Sequence, residues 1–92
     1  MILNFRHKGL KRLYEQGVGT GLSADWVPKI ERILARLDIA TTPEMVNLPG
    51  FKLHPLKGDL KGVWSVWVTG NWRIVFRFEG SDVRDVDLVD YH

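Results

Sequence analysis

The sequence predicts an α+β domain, with two N-terminal helices packed on a small twisted, mainly antiparallel sheet. Three observations carry this reading. Apolar residues recur at helical spacing as far as Leu37 and at every second position from Phe51 onward. The helical segments come first and the alternating ones last, which is the order of a strand meander covered by helices. The alternating segments are separated by "KGDLKG", "TGN" and "EGSD", all rich in turn-forming residues.

The elements follow in order. "ILNF" is a short apolar opening and reads as a strand. "HKGLKRLYEQG" spaces Leu10, Leu13 and Tyr14 as one helical stripe, and Gly17 offers the stop. The connector "GVGTGL" leads into a second helix that Ser23 or Asp25 can cap, with Pro28 tolerated in its first turn. Val27, Ile30, Ile33, Leu34 and Leu37 form its apolar face; Lys29, Glu31, Arg32 and Arg36 form the opposite one. "ATTPEMVNLPG" is a turn-rich loop with room for one helical turn at Pro43.

"FKLHPL", "VWSVWV", "WRIVFRF" and "VRDVDLVDY" then read as strands. In the third, Trp72, Ile74, Phe76 and Phe78 point one way and Arg73, Val75 and Arg77 the other. Trp72 is therefore core, while Trp64 and Trp67 lie on opposite faces of their strand and only one of them joins it. Trp26, at a helix start, reads as a packing lid.

Ninety-two residues, 45% apolar and 26% charged, suit a single domain over residues 1–92. The absence of cysteine excludes a disulfide framework and a cysteine nucleophile. No apolar run is long enough for a membrane span or a signal peptide, so the expected location is the cytoplasm, with no membrane partner. The net charge of +2 is unevenly spread. Residues 51–77 carry Lys52, Lys57, Lys61, Arg73 and Arg77 against Asp59, whereas Glu79, Asp82, Asp85, Asp87 and Asp90 crowd the end. A basic middle of this kind points to a polyanion.

"GVGTG" lacks the lysine–serine ending of a phosphate loop, and the three histidines are not at zinc-type spacing. No metal or other cofactor is expected. "KLHPLKGD" and the closing "LVDYH" hold the candidate chemistry. In a meander, His54, Lys57, Arg73, Tyr91 and His92 can reach one face. Such a set suits metal-free RNA cleavage, in which a base takes the 2′-hydroxyl proton and an acid protonates the leaving 5′-oxygen. Histidine, with a free pKa of about 6.5, serves either role. Lysine and arginine hold the phosphate charge, arginine by a two-pronged grip.

"FRHKGLKRLYEQG", "KLHPLKGDLKGVWSVWVTGNWRIVF" and "VDYH" together resemble the HigB toxins of type II toxin–antitoxin systems, within the RelE/ParE superfamily. The resemblance covers nearly the whole chain. It implies a RelE-like fold and ribosome-dependent endoribonuclease activity that cuts mRNA in the A site of the 70S ribosome. It also implies a HigA-like helix-turn-helix antitoxin, through which alone the toxin meets DNA. The matching positions are His54, Lys57, Arg73, Asp90, Tyr91 and His92. We assign the scissile phosphate to Arg73 and Lys57, with Lys52, Lys61 and Arg77 as further RNA contacts. His54 and His92 share the proton transfers, with base and acid left open. Asp90 orients a histidine or assists as a base, and Tyr91 stacks on or positions a nucleotide. On this reading the last strand runs directly into the site. The alternative is a ParE-like toxin that binds and inhibits DNA gyrase without cutting RNA.

Overall fold

The structure, a computed structural model, describes residues 1–90. Tyr91 and His92 lie outside the described residues. Helix α1 spans Lys8–Gln16 and buries Leu10 and Leu13, as their spacing predicts. His7 caps it: its Nδ1 accepts the Leu10 backbone N–H at 3.2 Å. Gly17 ends it at φ 70°, a left-handed conformation natural to glycine, and its N–H donates to the Leu13 carbonyl at 2.9 Å. Tyr14 stays on the rim, its ring 5.2 Å from that of Phe5.

Helix α2 spans Val27–Ile39 and buries Ile30, Ile33, Leu34 and Leu37. Val27 is only half-buried. The expected cap is corrected: neither Ser23 nor Asp25 holds that position. The cap residue is Trp26, without a side-chain cap bond, because a turn closed by Trp26 N–H on the Ser23 carbonyl precedes the helix. The helical turn expected at Pro43 is a 3-10 turn over Pro43–Val46.

The sheet has four strands in the order β1 (His54–Pro55), β2 (Val63–Thr69), β3 (Trp72–Glu79) and β4 (Asp82–Asp90), each antiparallel to its neighbour. Two strand expectations are corrected. "FKLHPL" contributes only His54 and Pro55, because proline has no N–H with which to continue a ladder. "ILNF" forms no strand of its own; Ile2 and Phe5 make isolated parallel bridges to Val83 and Val86 in β4. "KGDLKG" contains a 3-10 turn at Gly58–Leu60.

The helices cover one sheet face. Val66, Val68, Ile74, Phe76, Val83, Val86 and Leu88 join the helix residues and Phe51 in one core, with Trp26, Trp64 and Trp72 packed against it. The Trp26 and Trp72 rings lie 5.2 Å apart. Each large side chain buried this way contributes roughly 1.5–3 kcal/mol. Leu56 and Val63 are also buried, yet they lie outside this core.

Strand β4 departs from simple alternation. Val83 and Val86 are both buried because a bulge at Asp85–Val86 adds one residue opposite β3, with Asp85 at φ 56°. Asn4 clasps this kink. Its side-chain amide donates to Asp85 Oδ1 and its Oδ1 accepts the Asp85 N–H, both at 3.0 Å. No helix among the described residues is long and apolar enough to cross a membrane.

Candidate active site on the open sheet face

The pairing register sets which side chains share the uncovered face, because directly opposed residues point the same way. His54 pairs with Ser65, Ser65 with Val75, and Val75 with Asp87, forming one row across all four strands. The neighbouring row is Trp67, Arg73 and Val89. His54 and Arg73 therefore stand on the same face, two strands and two residues apart. Strand spacing puts their Cα atoms about 12 Å from one another.

His54 is exposed and sits on the edge strand. Its carbonyl accepts the hydroxyl of the buried Ser65 at 3.5 Å, which ties the edge to β2 and gives Ser65 a partner. Arg73 is half-buried, and its Nη1 donates to the carbonyls of Gly70 at 3.1 Å and Trp72 at 3.3 Å. Two of its donor bonds thus fix the guanidinium to the β2–β3 hairpin, while a guanidinium has five.

Beside these rows lies an open depression of about 450 Å³ lined by Arg6, Leu56, Leu60, Val63, Val75, Asp87, Val89 and Asp90, which His54 and Arg73 themselves do not line. The face is therefore not simply basic, as alternation alone implied. It has an apolar floor, supplied partly by the 3-10 turn, with charge at the rim. Asp90 reaches that rim although it pairs with Trp72 on the ladder. The flat-sheet span from His54 to Asp90 is about 17 Å.

The remaining predicted residues divide between the two ends. Lys57 and Lys61 flank the 3-10 turn and line a separate shallow groove with Pro55 and Trp64. Lys52, at φ 50°, places its Nζ 4.3 Å from the Trp67 ring centroid, beside Arg73's row. Arg77 is drawn to the other end, its Nε 3.6 Å from Asp85 Oδ2. The same carboxylate lies 3.9 Å from Arg6 and 3.7 Å from Arg84. The Asn4 hydrogen bond first, and then the three arginines, hold the Asp85 carboxyl below the usual carboxylate range, against an opposing effect of burial. Among the described residues no group of three His, Asp or Glu side chains is arranged to hold a metal ion.

Sequence reasoning missed three participants. Asp87 joins the His54 row; its shared parity with Val89 was the available signal. Trp67 faces the open side, as the opposite facing of Trp64 hinted. Lys29 reaches Trp67 from helix α2, 4.1 Å from the ring centroid, and no spacing in the sequence signals that contact.

The chain matches, over residues 3–92, the family model described as RelE-like toxin of type II toxin–antitoxin system HigB. It is 47% identical to the protein named Endoribonuclease HigB of Proteus vulgaris, with all 92 residues of this chain and the whole of the relative aligned. In three dimensions it is similar to the YoeB/ParE toxin from Agrobacterium tumefaciens, with a TM-score of 0.64 and 25% sequence identity. That match covers 100% of this chain and 99% of the other.

Proposed function

The chain belongs to the RelE-like HigB toxins of type II toxin–antitoxin systems and is an endoribonuclease; from that premise we propose that it cuts translated mRNA in the ribosomal A site by metal-independent acid–base catalysis. A toxin of this class has an antitoxin partner and RNA as its substrate. The finer reading is a HigA-like helix-turn-helix antitoxin, DNA met only through it, and a cytoplasmic site of action.

The observation that supports the mechanism is the common facing of His54 and Arg73 on the open side of the sheet, beside a depression that Asp90 borders. In the proposed reaction a base removes the 2′-hydroxyl proton and the freed oxygen attacks the neighbouring phosphorus. The bond to the 5′-oxygen breaks, and an acid protonates that oxygen as it leaves. His54 serves from the β1 edge and His92, with Asp90 as its orienting or assisting group, from the β4 end. Arg73 and Lys57 hold the phosphate charge. One well-placed acid or base is worth about 10²–10⁴-fold in rate.

A chain with a net charge of +2 grips free RNA weakly. The ribosome would supply the alignment, a source of large rate factors. Primer extension on one message, with and without translating ribosomes, tests this reading. Codon-phased cuts in the translated sample alone are expected; equal cutting of protein-free RNA would overturn it.

A further inference from the structure

Trp67, Lys29 and Lys52 form a second constellation beside the scissile site. Both lysine ammonium groups lie over the Trp67 ring, at 4.1 and 4.3 Å from its centroid. The arrangement is built from several directions. Lys29 Nζ donates to the Gly50 carbonyl at 2.9 Å, and the Phe51 carbonyl accepts the Trp67 N–H at 2.6 Å. Trp67 Nε1 donates to Gly70 at 3.0 Å, the same carbonyl that holds Arg73. Loop, helix and hairpin thus gather three cations around one aromatic ring.

The ring offsets only part of their mutual repulsion, because it carries no net charge. Burial, and then Arg32, Lys52 and Arg73, push the Lys29 ammonium below its ordinary pKa; each of those neighbouring charges is positive. Among the described residues Lys29 and Lys52 take part in no ion pair, whereas Asp85 neutralises the far end of the face. Cations held together with no counter-ion among the described residues are suited to an anion.

We propose that Lys29 and Lys52, arranged around Trp67 beside Arg73, form a second phosphate subsite that takes an RNA backbone phosphate next to the scissile one. This deepens the preceding functional reading and rests on RNA being the substrate. The row Trp67–Arg73–Val89 is adjacent to the row His54–Ser65–Val75–Asp87, so a strand leaving the reacting phosphate along the sheet passes over this ring. That adjacency favours RNA over an acidic protein segment. The phosphate could come from the message or from ribosomal RNA.

The test uses the full chain and an uncleavable single-stranded hexanucleotide carrying 2′-deoxy sugars. The Trp67 indole N–H resonance, assigned with Trp67→Phe, reports on the site. It should shift on titration of the wild type. In the Lys29→Gln/Lys52→Gln variant affinity should fall, and the salt dependence of binding should flatten by about 0.7 for each lost phosphate contact. Lys29→Arg/Lys52→Arg should restore both, and circular dichroism checks the fold. Unchanged affinity and slope in the glutamine variant would overturn the proposal. So would unchanged RNA binding with weakened antitoxin binding, which would assign the patch to the antitoxin.

Binding to ribosomes then identifies the source. Loss of affinity only when a codon fills the A site indicates the message, and loss also with a message ending before that site indicates ribosomal RNA. A wild type that binds the oligonucleotide at Trp67 but ignores ribosomes defeats the ribosome reading and leaves the subsite standing.

Discussion

Trp67 and Arg73 oppose each other across the β2–β3 ladder and donate to one carbonyl, that of Gly70, at 3.0 and 3.1 Å. The hairpin turn therefore sets the aim of both an aromatic ring and a guanidinium on the open face. Any substitution at one alters the company of the other.

Arg73→Ala should leave a folded protein with cleavage reduced on the order of 10²–10³-fold, the usual effect of removing one aligned donor to developing charge. Arg73→Lys should recover only part, because a point ammonium lacks the two-pronged grip. Ile74→Ala, one residue on, removes a fully buried side chain and should cost roughly 2–5 kcal/mol of stability instead. Cleavage rates and urea denaturation of the three variants check the contrast. An unfolded Arg73→Ala would be the contrary result.

Asp85 holds three arginines at the β4 bulge, and its carboxyl is kept below the usual range chiefly by Asn4. Its pKa is lower in the folded than in the unfolded chain. The contribution to stability is therefore present above about pH 3.9 and lost as pH falls through the depressed folded value. Asp85→Asn keeps a residue that tolerates positive φ and can still accept from Asn4. It should cost on the order of 1 kcal/mol at pH 7 and flatten the loss of stability in acid. Denaturation series at pH 7, 5 and 3 measure this; identical acid slopes would refute it.

Tyr14 donates its hydroxyl to Asp38 Oδ1 at 2.6 Å, and the same oxygen accepts the Ile2 N–H at 3.3 Å. That hydrogen bond above all, with burial and nearby negative charge, pushes the Tyr14 phenol up to about 12. A raised folded pKa means stability present below about pH 10 and lost as pH climbs through about 12. Phenolate absorbance should show one tyrosine titrating at that alkaline value. The signal should vanish in Tyr14→Phe and move down in Asp38→Asn.

Deletion of Tyr91 and His92 should abolish cleavage and toxicity while preserving the fold and antitoxin binding. The last strand is held by Val83, Val86 and Leu88, all buried upstream of the deletion. Growth on induction, soluble yield and circular dichroism provide the readout. A folded, fully toxic truncation would refute the role given to these two residues.

Much of the fold was legible in the sequence. Leu10 and Leu13, then Ile30, Ile33, Leu34 and Leu37, recur at a period only a helix satisfies, and Gly17 supplies the left-handed stop. The strict alternation from Trp72 to Phe78 separates the core side of β3 from the side that carries Arg73. These are local properties, decided by residues close in the chain. The motif residues His54, Lys57 and Arg73 were legible as candidates, but the common face of His54 and Arg73 follows from the pairing register, and Lys57 lines a separate groove.

Tertiary structure decided what alternation cannot. Alternation assigns faces only while the register is unbroken, and the bulge at Asp85–Val86 shifts it by one, so that Val83 and Val86 both enter the core. The opening "ILNF" finds its place on β4, more than eighty residues away in sequence, through Asn4 and the Ile2 and Phe5 bridges. Lys29 reaches Trp67 only because helix α2 lies beside the hairpin. Contacts of that range depend on how the whole core closes, so the sequence by itself supplied candidate residues and the facing of the unbroken strand β3, and packing decided which cations gather at which end.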